Sequence, residues 1–277
     1  MSFGPLVDGA WLAGHHRDPD VRVVDLRWYL DGRSGRAAYD AGHVPAAVFV
    51  DLDAISGHEA GRGRHPLPDA GVFETAMRAA GVGRGTAVVV YDDAGGAVAA
   101  RLWWLLRYFG HERAAVLDGG IRAWPGELSR QAEHPGTGDF AAGPPRDELK
   151  VEYEDVRLLP ATSLLIDARA GERYRGETEP VDPVAGHIPG ARSAPAGGNL
   201  DGQQRFRSPD ELRRRYEELG AGAGRDVVVY CGSGVNACHG LLAMELAGLT
   251  GARLYPGSWS EWTAHADAPV ATGEEVE

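Results

Sequence analysis

The sequence predicts an α/β protein built from two tandem copies of one domain, each a mainly parallel sheet flanked by helices. Three observations lead to this prediction. The chain has 277 residues, more than a single hydrophobic core usually serves. Several short motifs occur twice, in the same order and at nearly constant spacing. Within each copy, short apolar runs alternate with amphipathic segments, which is typical of βα units in a parallel sheet.

The repeated motifs define the two copies. The matching pairs are 23–27 with 165–169, 42–47 with 186–191, 88–91 with 227–230, and 117–120 with 254–257. A repeat of this length indicates a duplicated domain and not a solenoid. We predict an N-terminal domain at 1–130, a linker at 131–150 and a C-terminal domain at 151–277. The linker prediction rests on Gly- and Pro-rich sequence without a hydrophobic period.

Hydrophobic periodicity places the elements of each copy. In the first copy we predict strands near 21–26, 87–91 and 114–117, with helices near 71–80 and 97–109. In the second copy we predict strands near 163–167, 226–230 and 252–255, with helices near 209–219 and 237–248. The β-branched runs at 88–90 and 227–229 predict strands that are buried on both faces.

Composition and charge exclude several classes of function. A net charge of −12 argues against nucleic acid and anionic membrane surfaces as partners. No apolar run approaches the ~18 residues of a membrane helix, and the first residues lack the pattern of a signal peptide. Two cysteines do not make a disulfide framework, so we expect a reducing, cytoplasmic compartment. The sequence leaves the oligomeric state open.

Cys231 has the most informative position in the chain. It follows the apolar run 227–230, and Gly232 and Gly234 then let the backbone curl before a helix begins. Such a loop directs backbone N–H groups inward at the positive end of the helix dipole. That setting favours a thiolate and predicts a nucleophile. The alternative is a small buried apolar residue, the usual role of a free cysteine.

These residues resemble the tandem-domain rhodanese family of sulfurtransferases, and the resemblance covers nearly the whole chain. Its most specific element is the loop 231–235, Cys-Gly-Ser-Gly-Val, which is similar to the active-site loop of 3-mercaptopyruvate sulfurtransferases. Members that prefer thiosulfate usually have basic or bulky residues in the places of Gly232 and Ser233. Asn236 stands where the family usually has threonine. Further matching motifs are the two Gly-His-hydrophobic-Pro segments, Trp103-Trp104, 117–120 and 257–262.

The resemblance implies a ping-pong transfer of sulfur. The Cys231 thiolate takes the outer sulfur of a small anionic donor, 3-mercaptopyruvate or thiosulfate, and becomes a persulfide. An acceptor such as cyanide, a small thiol or a reduced thioredoxin-like protein then removes that sulfur. Neither a metal nor an organic cofactor is required. The loop residues Gly232, Gly234, Val235 and Asn236 are expected to bind the substrate, since inward N–H groups hold negative charge.

Arg173 matches the arginine that binds the donor carboxylate in the mercaptopyruvate enzymes. A guanidinium fork suits a planar carboxylate, while the alternative is a solvated surface arginine. The second substrate arginine of the family is missing, because Val181 holds its position. Arg175 or Arg192 could replace it, and the sequence does not decide between them.

Ser233, His65 and Asp53 match a proposed serine–histidine–aspartate relay of these enzymes. A histidine oriented by a carboxylate could polarise the serine hydroxyl, which could then protonate the departing pyruvate enolate. His65 and Asp53 fall in the first predicted domain and Ser233 in the second, so the relay is expected to cross between domains. In the alternative interpretation, Ser233 only caps its loop and His65 is a surface residue beside Arg64.

The remaining candidate residues are expected to be structural. Asp92 stands at the position of Cys231 in the first copy, where a carboxylate cannot take up sulfur, so that domain is predicted to be catalytically silent. His43 and His187 recur in both copies, including the silent one. Cys238 is expected to be packed and inert.

Two competing functions remain at this point. A phosphatase or arsenate reductase of the cysteine-loop type would need an arginine at the position of Ala237 to clamp its oxyanion. A sulfur-carrier or regulatory module would pass its sulfur to a protein instead of a small acceptor.

Overall fold

The structure, a computed structural model, describes residues 3–274 and divides into two compact units. Unit 1 comprises the chain up to Gly57, Leu67–Arg146 and Gly202–Phe206. Unit 2 comprises His58–Pro66, Asp147–Asp201 and the chain from Arg207 onward. Each unit therefore takes one short segment from the opposite half of the sequence, which the predicted boundaries do not include.

Unit 1 is a parallel sheet with helices between its strands. Its strands are β1 Leu6–Val7, β2 Val21–Asp25, β3 Val48–Phe49, β4 Ala87–Tyr91 and β5 Ala114–Leu117. Its helices are α1 Gly9–His15, α2 Gly35–Ala41, α3 Ala70–Ala79 and α4 Ala99–Tyr108. In the described chain the strand order is β1-β5-β4-β2-β3, with parallel pairing throughout. The β-branched strand β4 is buried along its length, as its central place requires.

Unit 2 repeats this arrangement. Its strands are β6 Leu164–Asp167, β7 Ala191–Ser193, β8 Val227–Tyr230 and β9 Arg253–Leu254. Its helices are α5 Tyr153–Arg157, α6 Gly171–Tyr174, α7 Pro209–Glu218, α8 Val235–Leu246 and α9 Ser258–Trp262. Within residues 3–274 the order is β7-β6-β8-β9, again parallel, which is the order β3-β2-β4-β5 of unit 1. The predicted fold class, two tandem α/β domains with parallel sheets, is confirmed.

The repeated motifs make the same contacts in both units. In unit 2 the Arg169 guanidinium pairs with Asp167 at 2.6 Å and donates to the Gly186 carbonyl oxygen at 2.6 Å. The equivalent contacts in unit 1 are made by Arg27, Asp25 and Gly42. These buried ion pairs connect the end of one strand to the Gly-His motif that precedes the next, which explains why the motifs recur in both copies.

The two motif histidines also have matching surroundings. His43 stacks on Tyr39 and its Nδ1 lies 2.8 Å from the Tyr39 carbonyl oxygen. His187 stacks on Tyr174 and its Nδ1 lies 2.8 Å from the Tyr174 carbonyl oxygen. Both rings are buried and bonded to backbone, in keeping with the structural role expected for them.

Part of the predicted linker packs in the core of unit 1. Phe140 is fully buried against Phe73, with ring centroids 5.6 Å apart, and Gly138 donates its N–H to the Arg78 carbonyl oxygen at 2.9 Å. Within the described part of the chain, no helix has the length and apolar surface needed to span a membrane. Residues 3–274 also contain no group of three His, Cys, Asp or Glu side chains that could hold a metal ion.

Candidate functional site

The predicted nucleophile lies at the carboxyl edge of the unit 2 sheet. Strands β6 and β8 are parallel neighbours, so the segments that follow them meet at this edge, where open α/β sheets bind their ligands. Cys231 directly follows β8 and is 3% exposed. Arg173 lies in α6, which follows β6. Chain topology therefore brings together two residues that are far apart in sequence.

The conformation of the loop requires glycine at Gly234. Its φ is +75°, and a Cβ atom there would lie 2.4 Å from the Pro256 carbonyl oxygen. This left-handed residue starts α8 at Val235, two residues before the predicted start. Val235 and Asn236 therefore belong to the first turn of α8. The N–H groups of a first turn have no intrahelical acceptor and lie at the positive end of the helix dipole.

A neighbouring segment fixes the backbone of the loop. The Cys231 N–H donates to Ser258 Oγ at 3.1 Å, and the Trp259 N–H donates to the Cys231 carbonyl oxygen at 3.0 Å. Ser258 is fully buried and has a φ of +54°, a conformation that non-glycine residues rarely adopt. Its hydroxyl donates to the Tyr255 carbonyl oxygen at 2.9 Å. This strained serine holds the backbone of Cys231 in place, and strain of this kind typically occurs at functional sites.

Two arginines lie over the loop at Gly232. A Cβ atom on Gly232 would lie 2.8 Å from Arg64 Nη2 and 3.6 Å from Arg173 Nη1. The missing side chain of this glycine therefore makes room for the guanidinium of Arg64. Arg64 belongs to the segment His58–Pro66 and is fixed there by its N–H, which donates to Ser260 Oγ at 3.1 Å.

Two buried carboxylates anchor the arginines. Arg173 donates to Glu179 through Nε at 3.1 Å and Nη2 at 2.6 Å. Asp182 bridges the pair, since its Oδ2 lies 3.1 Å from Arg173 Nη2 and its Oδ1 accepts from Arg64 Nη1. Burial would raise the pKa of Glu179, but Arg173 and backbone N–H groups outweigh it and lower that pKa. Burial raises the pKa of Asp182 although both arginines oppose the rise.

His65 and Ser233 are in contact. His65 Nδ1 lies 2.9 Å from Ser233 Oγ, and both residues are buried. His65 belongs to unit 2, because the segment His58–Pro66 packs there, so this contact lies within one unit. The predicted domain boundaries had placed His65 in the first domain, while the expected crossing of the whole relay, which depends on Asp53, stays a prediction. Asp53 belongs to unit 1, where it is exposed in the short 3-10 helix Asp53–Ile55, and its place in a relay stays a prediction.

In unit 1 the loop that corresponds to the Cys231 loop binds the carboxylate of its own residue Asp92. Asp92 is fully buried, and its two oxygens accept four backbone N–H groups at 2.7–2.9 Å. The donors are Ala94, Gly96, Val98 and Ala99. Burial raises the pKa of Asp92 while these four donors oppose the rise. The strand–loop–helix turn of this fold therefore holds an anion where the sequence supplies one.

The arginines proposed as replacements for the missing one have other surroundings. Arg175 pairs with Glu177 at 2.7 Å and with Glu274 at 3.4 Å, both of them exposed. Arg192 is exposed in β7. Cys238 is fully buried and its thiol donates to the Gly234 carbonyl oxygen at 3.3 Å, so it packs under the loop.

Comparison with known proteins shows the family of the chain. The family model described as a rhodanese-like domain matches residues 8–127 and again 146–265. The chain belongs to the rhodanese family. A Pseudomonas aeruginosa protein named "Probable 3-mercaptopyruvate sulfurtransferase" is 42% identical over 99% of this chain and 100% of its own length. A Mycobacterium tuberculosis protein named "Putative thiosulfate sulfurtransferase SseB" is 41% identical over 97% of this chain and 97% of its own length.

A solved structure has the same fold as this rhodanese chain. The crystal structure of SseA from Escherichia coli superposes with a TM-score of 0.82 at 33% identity, covering 94% of this chain and 100% of SseA. Sequence reasoning selected Cys231 and Arg173 as candidates, and the structure places both at this loop. It did not select Arg64, Asp182 or Ser258, which reach the loop through tertiary packing, although Ser258 lies in the matching motif 257–262.

Proposed function

We propose that this sulfurtransferase carries sulfur on Cys231, from 3-mercaptopyruvate or thiosulfate to a thiophilic acceptor. The position of Cys231 carries the proposal. It lies at the carboxyl edge of the sheet, at the start of α8, on a loop covered by two guanidinium groups. The names of the Pseudomonas and Mycobacterium relatives support a donor of this class, one pointing to 3-mercaptopyruvate and the other to thiosulfate.

In the first half-reaction the Cys231 thiolate attacks the sulfur of 3-mercaptopyruvate. A sulfur–sulfur bond forms and the carbon–sulfur bond breaks, with its electron pair leaving on pyruvate as the enolate. The thiol proton of the donor ends on carbon 3 of pyruvate, so a thiolate and a mercaptopyruvate anion give a persulfide anion and a pyruvate anion. With thiosulfate the same attack releases sulfite, and no proton is needed.

The start of α8 would hold the negative charge through both half-reactions. Thiolate and persulfide are both anions, and the first-turn N–H groups of Val235 and Asn236 have no helical acceptor. The twin loop supports this assignment, since the same turn in unit 1 satisfies the Asp92 carboxylate with backbone N–H groups alone. Neither a metal nor a cofactor is assigned a role in the proposed reaction.

Ser233 and His65 are proposed to supply the proton that the enolate takes. The hydroxyl and the imidazole already share a hydrogen bond of 2.9 Å in a buried setting. Ser233 would donate to the enolate carbon, and His65 would return a proton that it receives from the donor thiol. Asp53 remains a proposed third member of this relay.

In the second half-reaction an acceptor removes the outer sulfur. Cyanide would leave as thiocyanate, and a thiol would leave as its persulfide, with the Cys231 thiolate restored in each case. A reduced thioredoxin-like protein is the proposed protein acceptor. A phosphatase function has less support, because Ala237, where such sites need an arginine, is buried inside α8.

The proposal predicts that Cys231 alone takes up sulfur. After treatment with either donor, intact-mass analysis of the wild type should show one added sulfur atom, and Cys231→Ser should show none. Cys238→Ser is the matched control, because its thiol packs under the same loop, and it should keep most of the uptake.

Sulfur found on Cys238 in the Cys231→Ser variant would contradict the proposal. A wild-type persulfide that cyanide and small thiols fail to discharge, but a thioredoxin-like protein discharges, would instead indicate a carrier that serves only proteins.

A further inference from the structure

The family resemblance leads us to expect two donor-binding arginines, and the sequence supplies only Arg173 at the matching positions. Val181 replaces the second arginine, and its own N–H donates to Glu179. The structure assigns its role to Arg64, on the segment His58–Pro66: Arg64 and Arg173 together bind the anionic end of the sulfur donor above Gly232. This inference rests on the proposed function and adds a specificity-determining residue to it.

The position of Arg64 is the first argument. Its Nη2 would lie 2.8 Å from a Cβ on Gly232, closer than Arg173 Nη1 at 3.6 Å. Arg64 therefore covers the residue next to the nucleophile. Its side chain is 29% exposed, so it is accessible from outside, whereas Arg173 is 14% exposed. A donor bound there would meet two guanidinium groups beside Cys231.

The hydrogen-bond donors that remain without an acceptor are the second argument. A guanidinium has five N–H groups. Arg64 uses Nη1 on Asp182, and its Nε is buried with no hydrogen-bond partner among residues 3–274. Arg173 uses Nε and Nη2 on its carboxylates, and among residues 3–274 its Nη1 makes no hydrogen bond. A buried donor without an acceptor, such as Arg64 Nε, is costly, and the carboxylate or sulfonate of a sulfur donor would offer acceptors to both guanidiniums.

Asp182 gives the third argument, because it orients the pair. One carboxylate holds Nη1 of Arg64 and Nη2 of Arg173, so the two guanidiniums are fixed relative to each other before a donor arrives. Preorganisation of this kind lowers the cost of binding. Arg175, a candidate from the sequence, is instead paired with exposed Glu177 and Glu274.

The test is steady-state kinetics of pyruvate release with dithiothreitol, a neutral thiol, as acceptor. Arg64→Gln should raise the KM for 3-mercaptopyruvate about 10- to 100-fold and leave kcat nearly unchanged, because a charged hydrogen bond made equally in ground and transition states is lost. Arg64→Lys keeps the charge without the fork and should restore part of the affinity. Arg175→Gln, the matched control, should change KM less than about twofold.

A double variant separates donor binding from electrostatic side effects. Arg64→Gln leaves Asp182 without one partner, and a stranded carboxylate could itself repel the donor. Arg64→Gln/Asp182→Asn removes that charge and should show the same high KM. A KM restored to the wild-type value in the double variant would overturn the inference. If Arg64→Gln does not fold, Arg64→Lys carries the test, and an unchanged KM there would also overturn it.

A thiosulfate arm, in which the release of sulfite is measured, identifies which feature of the donor is bound. A rise in KM confined to 3-mercaptopyruvate identifies the carboxylate, an equal rise for both donors identifies their shared negative charge, and either result supports the assignment. An unchanged KM for both donors in Arg64→Gln would overturn it. Failure of the proposed function looks different, since the wild-type protein itself would then take up no sulfur.

Discussion

Cys231 and Ser233 share one loop but are held in different ways. Cys231 is fixed through its backbone by Ser258 and Trp259, while the side chain of Ser233 hydrogen-bonds to His65. Cys231 therefore has a fixed backbone, and the Ser233 hydroxyl has an imidazole as its hydrogen-bond partner. The two donors make different demands on that hydroxyl, because the pyruvate enolate must be protonated and sulfite need not be.

Ser233→Ala should distinguish the two donors. Loss of a general acid should lower kcat for 3-mercaptopyruvate about 100-fold or more and kcat for thiosulfate less than about threefold. The measurement is initial rates with both donors at saturating concentration. Ser163→Ala is a suitable control, since that serine bonds to Asp226 at the opposite end of the sheet and should leave both rates unchanged. Equal losses for the two donors would reject the proton role and leave Ser233 as a structural residue.

At the scale of residues, sequence reasoning finds side chains that directly follow strands. Cys231 was selected from its loop after an apolar strand and Arg173 from its match to the family's donor-binding arginine, and the parallel pairing of β6 and β8 brings the segments after these strands to one edge. Arg64 could not be found this way, since its place depends on a segment of the first half of the chain that packs in unit 2. Asp182 lies in a stretch without secondary structure, where no period predicts which way a side chain points.

At the scale of elements, the two equivalent strand–loop–helix turns differ in the side chain that follows the strand. The turn after β4 satisfies its N–H groups with the Asp92 carboxylate and begins its helix at Ala99. The turn after β8 is shorter, begins its helix at Val235, and has a thiol in the place of that carboxylate. The first turn is therefore closed by its own side chain, and the second has no carboxylate at the equivalent position.

Asp92→Asn should destabilise the protein without loss of sulfur transfer. The amide NH₂ would face backbone N–H groups that now donate to a carboxylate oxygen, so buried donors would lose their acceptor at a cost of about 2–3 kcal/mol. Equilibrium urea unfolding measures the loss. Asp93→Asn is the matched control, since Asp93 accepts one hydrogen bond from Tyr29 and is half-buried, and should cost less than about 1 kcal/mol.

The activity of the same variant tests whether the first domain is silent. Sulfur uptake by folded Asp92→Asn at 25 °C should equal that of the wild type, because Asp92 would have no chemical role. A specific loss of uptake in a variant that is still folded would show that unit 1 takes part in the reaction.

Element boundaries were predictable where the hydrophobic pattern was long. Strands β4 and β8 and the helices α3 and α7 coincide closely with the predicted ranges. The strands β1, β3 and β7 were missed, because two or three residues are too few to show an alternating pattern. Helix α8 begins early because Gly234, in the left-handed conformation, ends the loop.

At the scale of the whole molecule, the two units exchange short segments. His58–Pro66 belongs to unit 2 although both of its chain neighbours belong to unit 1, and Gly202–Phe206 has the reverse relation. The Phe206 N–H donates to Asp118 Oδ1 at 2.9 Å within unit 1, and this bond anchors the segment Gly202–Phe206 there. No shift in composition marks either exchanged segment. Linkers and repeats alone therefore predict domain boundaries that leave both segments in the wrong unit.

This exchange predicts that the two units unfold together. If unit 1 unfolds, the anchors on both sides of His58–Pro66 are lost, and Arg64 and His65 leave the site with them.

Phe73→Ala should remove a fully buried ring packed on Phe109 and Phe140, at a cost of about 3–5 kcal/mol. Calorimetry should then show one transition at a lower temperature, with sulfur uptake by Cys231 lost over the same range. Val72→Ala, an exposed neighbour on α3, should leave the transition in place. Two separate transitions, with uptake retained after the first, would contradict the prediction and make unit 2 independent of unit 1.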